Sequence, residues 1–215
     1  MNRYSVFLSL VAAIGGFLFG YDTAVISGTI SQVSAQFDLD SIQTGWYVGC
    51  ALVGSIIGVS GAGILSDYLG RKLTMFISAI LFFVSALGCA ITTDFTGLVL
   101  YRMIGGMGIG VASIVSPIYI SEISVAKYRG SMVSLYQLAI TVGFLAAYLI
   151  NFLLSGLSAE QIFSNPALYK IFNAEVWRAM LGMESMPALM FLLMLFFVPE
   201  SPRWLIMKNK PSTGE

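Results

Sequence analysis

The sequence has 215 residues, of which 57% are hydrophobic and 10% are charged. Soluble domains average roughly 25% charged residues, so this composition argues against a soluble protein and indicates one that crosses a membrane repeatedly. Eleven basic and eleven acidic residues give a formal net charge of zero, which argues against a nucleic-acid partner. The absence of histidine removes the enzyme classes that need an imidazole base, and we predict a protein that is not an enzyme and uses no cofactor or metal.

Six apolar segments follow one another along the chain, and each is long enough to cross a bilayer as a helix. They cover residues 5–27, 43–65, 73–92, 97–120, 131–154 and 176–198. The first segment has no signal-peptide cleavage pattern after it, so we interpret it as a retained span. We therefore predict an all-α bundle of six transmembrane helices over residues 1–198, with residues 199–215 beginning a cytoplasmic linker.

Charged residues in the linkers predict how the bundle is oriented. Basic side chains concentrate on one side, and the positive-inside rule makes that side cytoplasmic. Both termini are then expected in the cytoplasm of a multi-pass protein of the cell (inner) membrane. The basic residues on that side are Arg3, Arg71, Lys72, Lys127, Arg129, Arg203, Lys208 and Lys210; the opposite side holds Lys170, Arg178 and the acidic residues Asp38, Asp40, Asp94, Glu160 and Glu175.

Segments 1 and 4 hold the two charges that lie most plainly inside the membrane, Asp22 and Arg102. Three spans carry the chain across the membrane, so a second set of three would run inverted relative to the first, and segments 1 and 4 would correspond. Asp22 lies about 24 Å from the cytoplasmic end of segment 1, and Arg102 lies about 8 Å from the outer end of segment 4. These depths match, so we expect the two residues to form an ion pair. The pair could be functional, or it could only hold helices together.

Small residues within the segments have a structural interpretation. Cys50 and Cys89 lie in apolar runs, so we expect no disulfide. Glycines at four-residue spacing permit close helix contact in membranes, and we predict that role for Gly45/Gly49, Gly54/Gly58 and Gly106/Gly110. The stretch GVSG (58–61) matches an intramembrane serine protease pattern, but that chemistry needs the histidine that the chain lacks.

Five motifs identify a family. The stretch GILSDYLGRK (63–72) resembles the loop signature of the major facilitator superfamily. The stretches GYDTAVISG (20–28), RMIGGMGIG (102–110), PIYISEISVAKYRG (117–130) and PESPRWL (199–205) resemble the signatures of its sugar porters, in the expected order. The resemblance covers the whole chain and is greatest to bacterial sugar/proton symporters of the xylose-symporter type. It implies the 3+3 inverted-repeat N-terminal half of a transporter that moves a monosaccharide, a hexose or a pentose, together with a proton.

The same resemblance implies roles for individual residues. Acids and bases at the cytoplasmic helix ends would form a network that closes the cytoplasmic gate, together with matching charges in a second half. The implied gate residues are Gly63, Asp67, Gly70, Arg71, Lys72, Glu122, Arg129, Glu200 and Arg203. Gln137 matches a glutamine that binds sugar hydroxyls in sugar porters, and Phe19 matches an aromatic residue beside the substrate. Phe144 stands where the xylose symporter has a second glutamine, which weakens an assignment to xylose.

Asp22 separates two possible mechanisms. Facilitative glucose transporters have asparagine at the matching position, and an amide cannot carry a proton. The acid therefore favours proton coupling, with Arg102 modulating it. A proton-independent facilitator is the alternative.

The number of spans bears on activity. Sugar porters have twelve spans and this chain has six, so a C-terminal half is expected as a partner beside the monosaccharide, the proton and the lipid bilayer. We interpret the chain as a fragment or truncated product that is inactive in transport by itself, with self-assembly of halves as the less favoured option.

Overall fold

The computed structural model describes residues 3–159 and 169–208. Within these ranges the ordered elements are all helical, and six helical stretches are long and apolar enough to cross a membrane. This confirms the prediction of an all-α protein with six spans. The acid at position 160 and the base at position 210 lie outside the described residues.

The helices run in chain order with short connections. The first five are α1 (Arg3–Phe37), α2 (Ser41–Leu69), α3 (Arg71–Ile91), α4 (Phe95–Ile123) and α5 (Arg129–Ala159), with a 3-10 turn at Ala126–Tyr128 before α5. After a π-helical segment at Lys170–Ala174, the sixth span comprises α6 (Val176–Gly182), α7 (Ser185–Met194) and a 3-10 turn at Leu195–Phe197. A short helix, α8 (Pro202–Met207), follows.

Local signals in the sequence determine where helices begin and end. Asp40 accepts a hydrogen bond from the backbone of Gln43, whose side chain accepts one from Asp40 in return, so α2 starts with a capping box. Asp94 caps α4 through the backbone N–H of Gly97. Gly70 separates α2 from α3 with a φ of 97°, a conformation that favours glycine.

The sixth span is interrupted, although the sequence predicted a continuous helix over 176–198. Pro187 has no backbone N–H to donate to the carbonyl of Met183, so one bond of the helical ladder is missing. The N–H of Glu184 bonds three residues back, to Leu181, at 3.3 Å. This irregular turn between α6 and α7 brings an acidic residue into the interior of the bundle.

The packing of the helices has the pattern of two related halves. Helix α2 lies along α4, and α5 lies along α1, which is the arrangement expected if the first three spans correspond to the last three. Glycines allow backbone contact at both crossings: a Cβ on Gly106 would overlap the carbonyl of Ala51, and one on Gly20 would overlap that of Ile140.

The glycine pairs do not all serve helix packing. Gly54, Gly58, Gly106 and Gly110 line the α2–α4 contact as predicted. The prediction is wrong for Gly45 and Gly49, whose Cβ positions have no neighbour within 4 Å in the described part of the chain. Spacing identifies the helix face, but it does not show whether that face meets another helix.

Candidate functional site

An ion pair lies in the interior of the bundle. Arg102 Nη1 on α4 is 3.6 Å from Asp22 Oδ1 on α1, and the two side chains are 2% and 3% exposed. Direct charge-assisted hydrogen bonds are about 2.7–2.9 Å long, so this pair is loose. Asp22 Oδ2 and Arg102 Nε and Nη1 have no hydrogen-bond partner within the described ranges. The structure thus brings together the two residues that depth counting paired, but their hydrogen-bonding capacity is incompletely used.

A second buried acid joins this pair, and the sequence analysis missed it. Glu184 lies at the irregular turn of the sixth span, is 2% exposed, and has Asp22 and Arg102 as its charged neighbours. The interior of the bundle therefore holds two carboxyl groups near one guanidinium, and Glu184 Oε1 has no hydrogen-bond partner within the described ranges. The sequence contained a signal for this residue. Glu184 is an acid inside the apolar segment 176–198, and Asp22 is an acid inside the apolar segment 5–27.

Uncharged side chains complete the surroundings of Arg102. Its Cζ atom lies 5.6 Å from the centre of the Tyr47 ring. Cys50 and Cys89 lie beside the guanidinium, and both are buried free thiols, as expected from their apolar segments. Helices α1, α2, α3 and α4 and the sixth span therefore all contribute to one cluster, which we call the membrane cluster: Asp22, Tyr47, Cys50, Cys89, Arg102 and Glu184.

The predicted sugar-contacting residues lie on α1 and α5. Gly16 meets Tyr136 and Gly20 meets Ile140 at the crossing of these helices, so the neighbouring residues Phe19 and Gln137 lie at similar depth. Gln137 is exposed, whereas Phe19 is half-buried against the core.

Phe144 is also half-buried on α5, and it packs against the two hydrophobic clusters of the bundle. Among the described residues, the side chain of Gln137 is thus exposed, while the rings of the two phenylalanines are partly covered.

Helix α1 has different chemistry on its two sides. Asp22 points into the membrane cluster, whereas the next residue, Thr23, is exposed, as are Ser27 and Ser31 at four-residue intervals. On α5, Thr141 is exposed one turn after Gln137 and donates its hydroxyl hydrogen to the Gln137 carbonyl at 3.2 Å. A polar exposed stripe on α1 therefore runs beside the helix that carries Gln137.

The helix ends that are predicted to face the cytoplasm hold a second cluster, centred on Arg71. Its guanidinium donates two hydrogen bonds of 3.1 Å to Glu122, one of 3.1 Å to Asp67 and one of 3.0 Å to the carbonyl of Ser66. The Arg71 and Glu122 side chains are 7% and 4% exposed, whereas Asp67 is largely exposed. Unlike Arg102, this arginine uses Nε, Nη1 and Nη2 in hydrogen bonds.

Glu200 connects this cluster to the start of α3. Its carboxylate accepts hydrogen bonds from the backbone N–H groups of Arg71 at 2.8 Å, Lys72 at 3.2 Å and Ser201 at 2.8 Å. An acid is favourable at a helix N-terminus because of the partial positive charge there. A Cβ on Gly70 would overlap the Glu200 carboxylate, so the glycine leaves room for this contact. We call Asp67, Arg71, Glu122 and Glu200 the cytoplasmic cluster.

The other predicted gate residues lie outside this cluster. Arg129 and Arg203 are exposed and form no ion pair with residues 3–159 or 169–208. Gly63 is exposed without a close neighbour, and the Lys72 ammonium bonds the Phe196 carbonyl at 3.3 Å. Asp67, Arg71, Glu122 and Glu200 thus lie together, whereas the predicted gate role of Arg129 and Arg203, which involves charges of a second half, stays a prediction.

The protease-like stretch has no supporting geometry. Ser60 is exposed on α2, and its hydroxyl donates to the carbonyl of Ile56 at 2.8 Å. The sequence contains no histidine that could serve as its base.

Comparison with known proteins adds evidence independent of the motifs. The family profile described as "Sugar (and other) transporter" matches residues 8–215. The "Glucose transport protein" of Synechocystis sp. is 42% identical over 97% of this chain and 44% of its own length. The "D-xylose-proton symporter" of Escherichia coli K12 is 39% identical over 100% of this chain and 47% of its own length.

Solved structures agree with this assignment. The proton:xylose symporter XylE bound to 6-bromo-6-deoxy-D-glucose has a TM-score of 0.85 at 38% identity, over 98% of this chain and 48% of that one. This chain spans about half the length of the curated relatives that it matches. It belongs to the sugar transporter family of the major facilitator superfamily, and its six helices match the N-terminal half of that fold.

Proposed function

We propose that this chain forms the N-terminal half of a transporter that moves a monosaccharide, a hexose or a pentose, together with a proton. The observation that carries the proposal is the membrane cluster, in which Arg102 pairs with buried Asp22, a second buried acid lies nearby, and exposed polar residues lie on another side of α1. An acid that alternates between a charged and a neutral form can carry a proton, and a buried ion pair with spare hydrogen-bonding capacity can open. The D-xylose and galactose relatives in E. coli, whose names describe proton symporters, support the same proposal.

Coupling would proceed through α1. Protonation of Asp22 removes the charge that attracts Arg102, and Glu184 is the neighbouring acid that can then interact with the guanidinium. Phe19 and Thr23 lie within one turn of Asp22 on the same helix, so a shift of α1 changes the surface offered to a sugar. Gln137 would donate and accept hydrogen bonds with sugar hydroxyls, and Phe19 and Phe144 would pack against the ring.

The cytoplasmic cluster would act as part of a gate. Its fully bonded Arg71 stabilises the contact between the ends of α2, α3 and α4, and Arg129 and Arg203 are exposed for pairing with charges of a second half. We further propose that this end, with both termini, faces the cytoplasm, because the linker charges follow the positive-inside rule.

Uptake in proteoliposomes tests the proposal. The chain is reconstituted alone and with the co-expressed C-terminal half of the E. coli D-xylose-proton symporter, and uptake of labelled xylose, glucose and galactose is measured with and without an inward proton gradient. We expect gradient-driven accumulation only when both halves are present. Asp22→Asn should abolish accumulation and leave downhill exchange of sugar measurable, because an amide cannot cycle a proton.

Two results would contradict the proposal in different ways. Uphill accumulation by Asp22→Asn equal to that of the native chain would remove proton coupling and favour the proton-independent facilitator. No saturable uptake of any of the three sugars in the two-half preparation would argue against monosaccharide transport. Ser60→Ala, which removes an exposed hydroxyl group on α2 and changes no charge, is the control for coupling.

A further inference from the structure

The buried ring of Tyr47 is held firmly in its position against Arg102. Its hydroxyl group is 2.7 Å from Thr29 Oγ1 on α1, and Thr29 donates its own hydrogen to the carbonyl of Ile26 at 2.9 Å. Since a threonine hydroxyl has one hydrogen, Tyr47 is the donor in the bond to Thr29. The ring is 0% exposed and spans from α1 to the guanidinium on α4.

The backbone contact between α2 and α4 fixes the spacing on which this ring depends. Gly106 lies against the carbonyl of Ala51, one turn after Tyr47, and Gly54 lies against the carbonyl of Met103, the residue after Arg102. The two helices are therefore in direct contact at the level of the cluster, and the ring has no room to withdraw from the guanidinium.

The position of Arg102 is consistent with a restraint by this ring. Its Nη1 is 3.6 Å from Asp22 Oδ1, and neither its Nε nor its Nη1 has a hydrogen-bond partner within the described ranges. A free guanidinium beside a buried carboxylate would be expected to close to about 2.7–2.9 Å and form two parallel bonds. A cation over an aromatic face is itself stabilised, more so when both groups are desolvated, so the ring competes with the carboxylate for the charge.

We infer that Tyr47 is a positioning residue that acts through Arg102, holding the guanidinium at a distance where it attracts Asp22 without locking it, and retaining it when Asp22 is protonated. The inference rests on the proposed function in one respect, namely that Asp22 carries the transported proton. The other titratable groups around this pair are Cys50 on α2, Cys89 on α3 and Glu184 in the sixth span, with Tyr21 on α1 beside Glu184.

Infrared spectroscopy of the full chain in lipid nanodiscs, without sugar, tests this inference directly. The carbonyl band of protonated Asp22 is identified by its loss in Asp22→Asn, and that of Glu184 by its loss in Glu184→Gln. The pH midpoint of the Asp22 band is then compared among the native chain, Tyr47→Leu, Tyr47→Phe and Phe82→Leu. Phe82→Leu removes a ring that is equally buried in the hydrophobic core.

Loss of the ring should stabilise the charged pair. In Tyr47→Leu we expect Arg102 to bond Asp22 directly, so that protonation needs a higher proton concentration and the midpoint falls by about one pH unit. Tyr47→Phe keeps the ring face and should restore most of the native midpoint, and Phe82→Leu should leave it unchanged.

Three results would overturn the inference: a native midpoint in Tyr47→Leu, a rise of the midpoint in that variant, or equal shifts in Tyr47→Leu and Phe82→Leu. The measurement involves no transport, so it separates the two proposals. Absence of sugar uptake by the two-half preparation would contradict the proposed function, whereas equal midpoints in the native chain and Tyr47→Leu would contradict only the role of Tyr47.

Discussion

The membrane cluster and the cytoplasmic cluster each place acids around one buried arginine, but the two arginines are bonded very differently. Arg71 makes four hydrogen bonds of 3.0–3.1 Å. Arg102 has a single ion pair at 3.6 Å and two nitrogen atoms without hydrogen bonds among the described residues. Full bonding stabilises one arrangement, whereas incomplete bonding leaves alternatives of similar energy. The comparison suggests that the first cluster holds helix ends together and that the second can change its state.

The largest difference in the free energy of unfolding is expected between variants that remove one arginine or the other. Arg71→Met leaves Glu122 buried without its guanidinium, and we expect the free energy of unfolding to fall by about 3–5 kcal/mol. Arg102→Met should cost about 1–2 kcal/mol, because it breaks no tight hydrogen bond and the acids left behind can take up protons. Denaturation of both variants in detergent micelles measures the difference. Equal losses, or a greater loss for Arg102→Met, would contradict the distinction between the clusters.

Two acids at helix N-termini, Glu200 at α3 and Asp94 at α4, should give a smaller contrast in the free energy of unfolding. Glu200→Gln removes the negative charge of the carboxylate that accepts hydrogen bonds from the backbone of Arg71, Lys72 and Ser201. We expect the free energy of unfolding to fall by about 1 kcal/mol. Asp94→Asn is the matched control, since Asp94 caps α4 through one exposed hydrogen bond to the Gly97 N–H and should lose only about 0.3 kcal/mol. Unfolding midpoints of the two variants test the order, and a larger effect at Asp94 would argue against a special role of Glu200 in the cluster.

Substitution of the exposed arginines should have the smallest effect on the free energy of unfolding. Arg129→Gln and Arg203→Gln should change the free energy of unfolding by no more than about 0.5 kcal/mol, because neither side chain pairs with an acid within residues 3–159 and 169–208. The same denaturation assay measures both variants. A loss of more than about 1 kcal/mol in either would mean that the cytoplasmic cluster extends further than its four residues.

The sequence was most informative where the membrane itself limits the possibilities. A bilayer requires long apolar helices, so the six spans could be counted, and residue counting placed Asp22 and Arg102 at one depth. The same rule applied to the sixth segment points to Glu184, an acid within residues 176–198. Pro187 likewise signalled the interruption of that span.

Other features could not be obtained from the sequence because they depend on neighbours. Gly45 and Gly106 occur in similar spacing patterns, yet only Gly106 lies against another backbone. Arg71 and Arg129 are both bases at helix ends that are predicted to be cytoplasmic; Arg71 is buried, whereas Arg129 is exposed. No sequence pattern distinguishes Tyr47, because aromatic residues are common in apolar spans and only the structure shows its ring beside a cation.

Helix α1 is a single uninterrupted element of 35 residues, about 52 Å long. Its backbone touches that of α5 near Gly20, and this contact can serve as a fulcrum. A tilt of about 5° around that point would move the far end of the helix, roughly 25 Å away, by about 2 Å. Asp22 lies only two residues from the fulcrum, so a small displacement at the acid would be magnified at the Phe37 end of the helix.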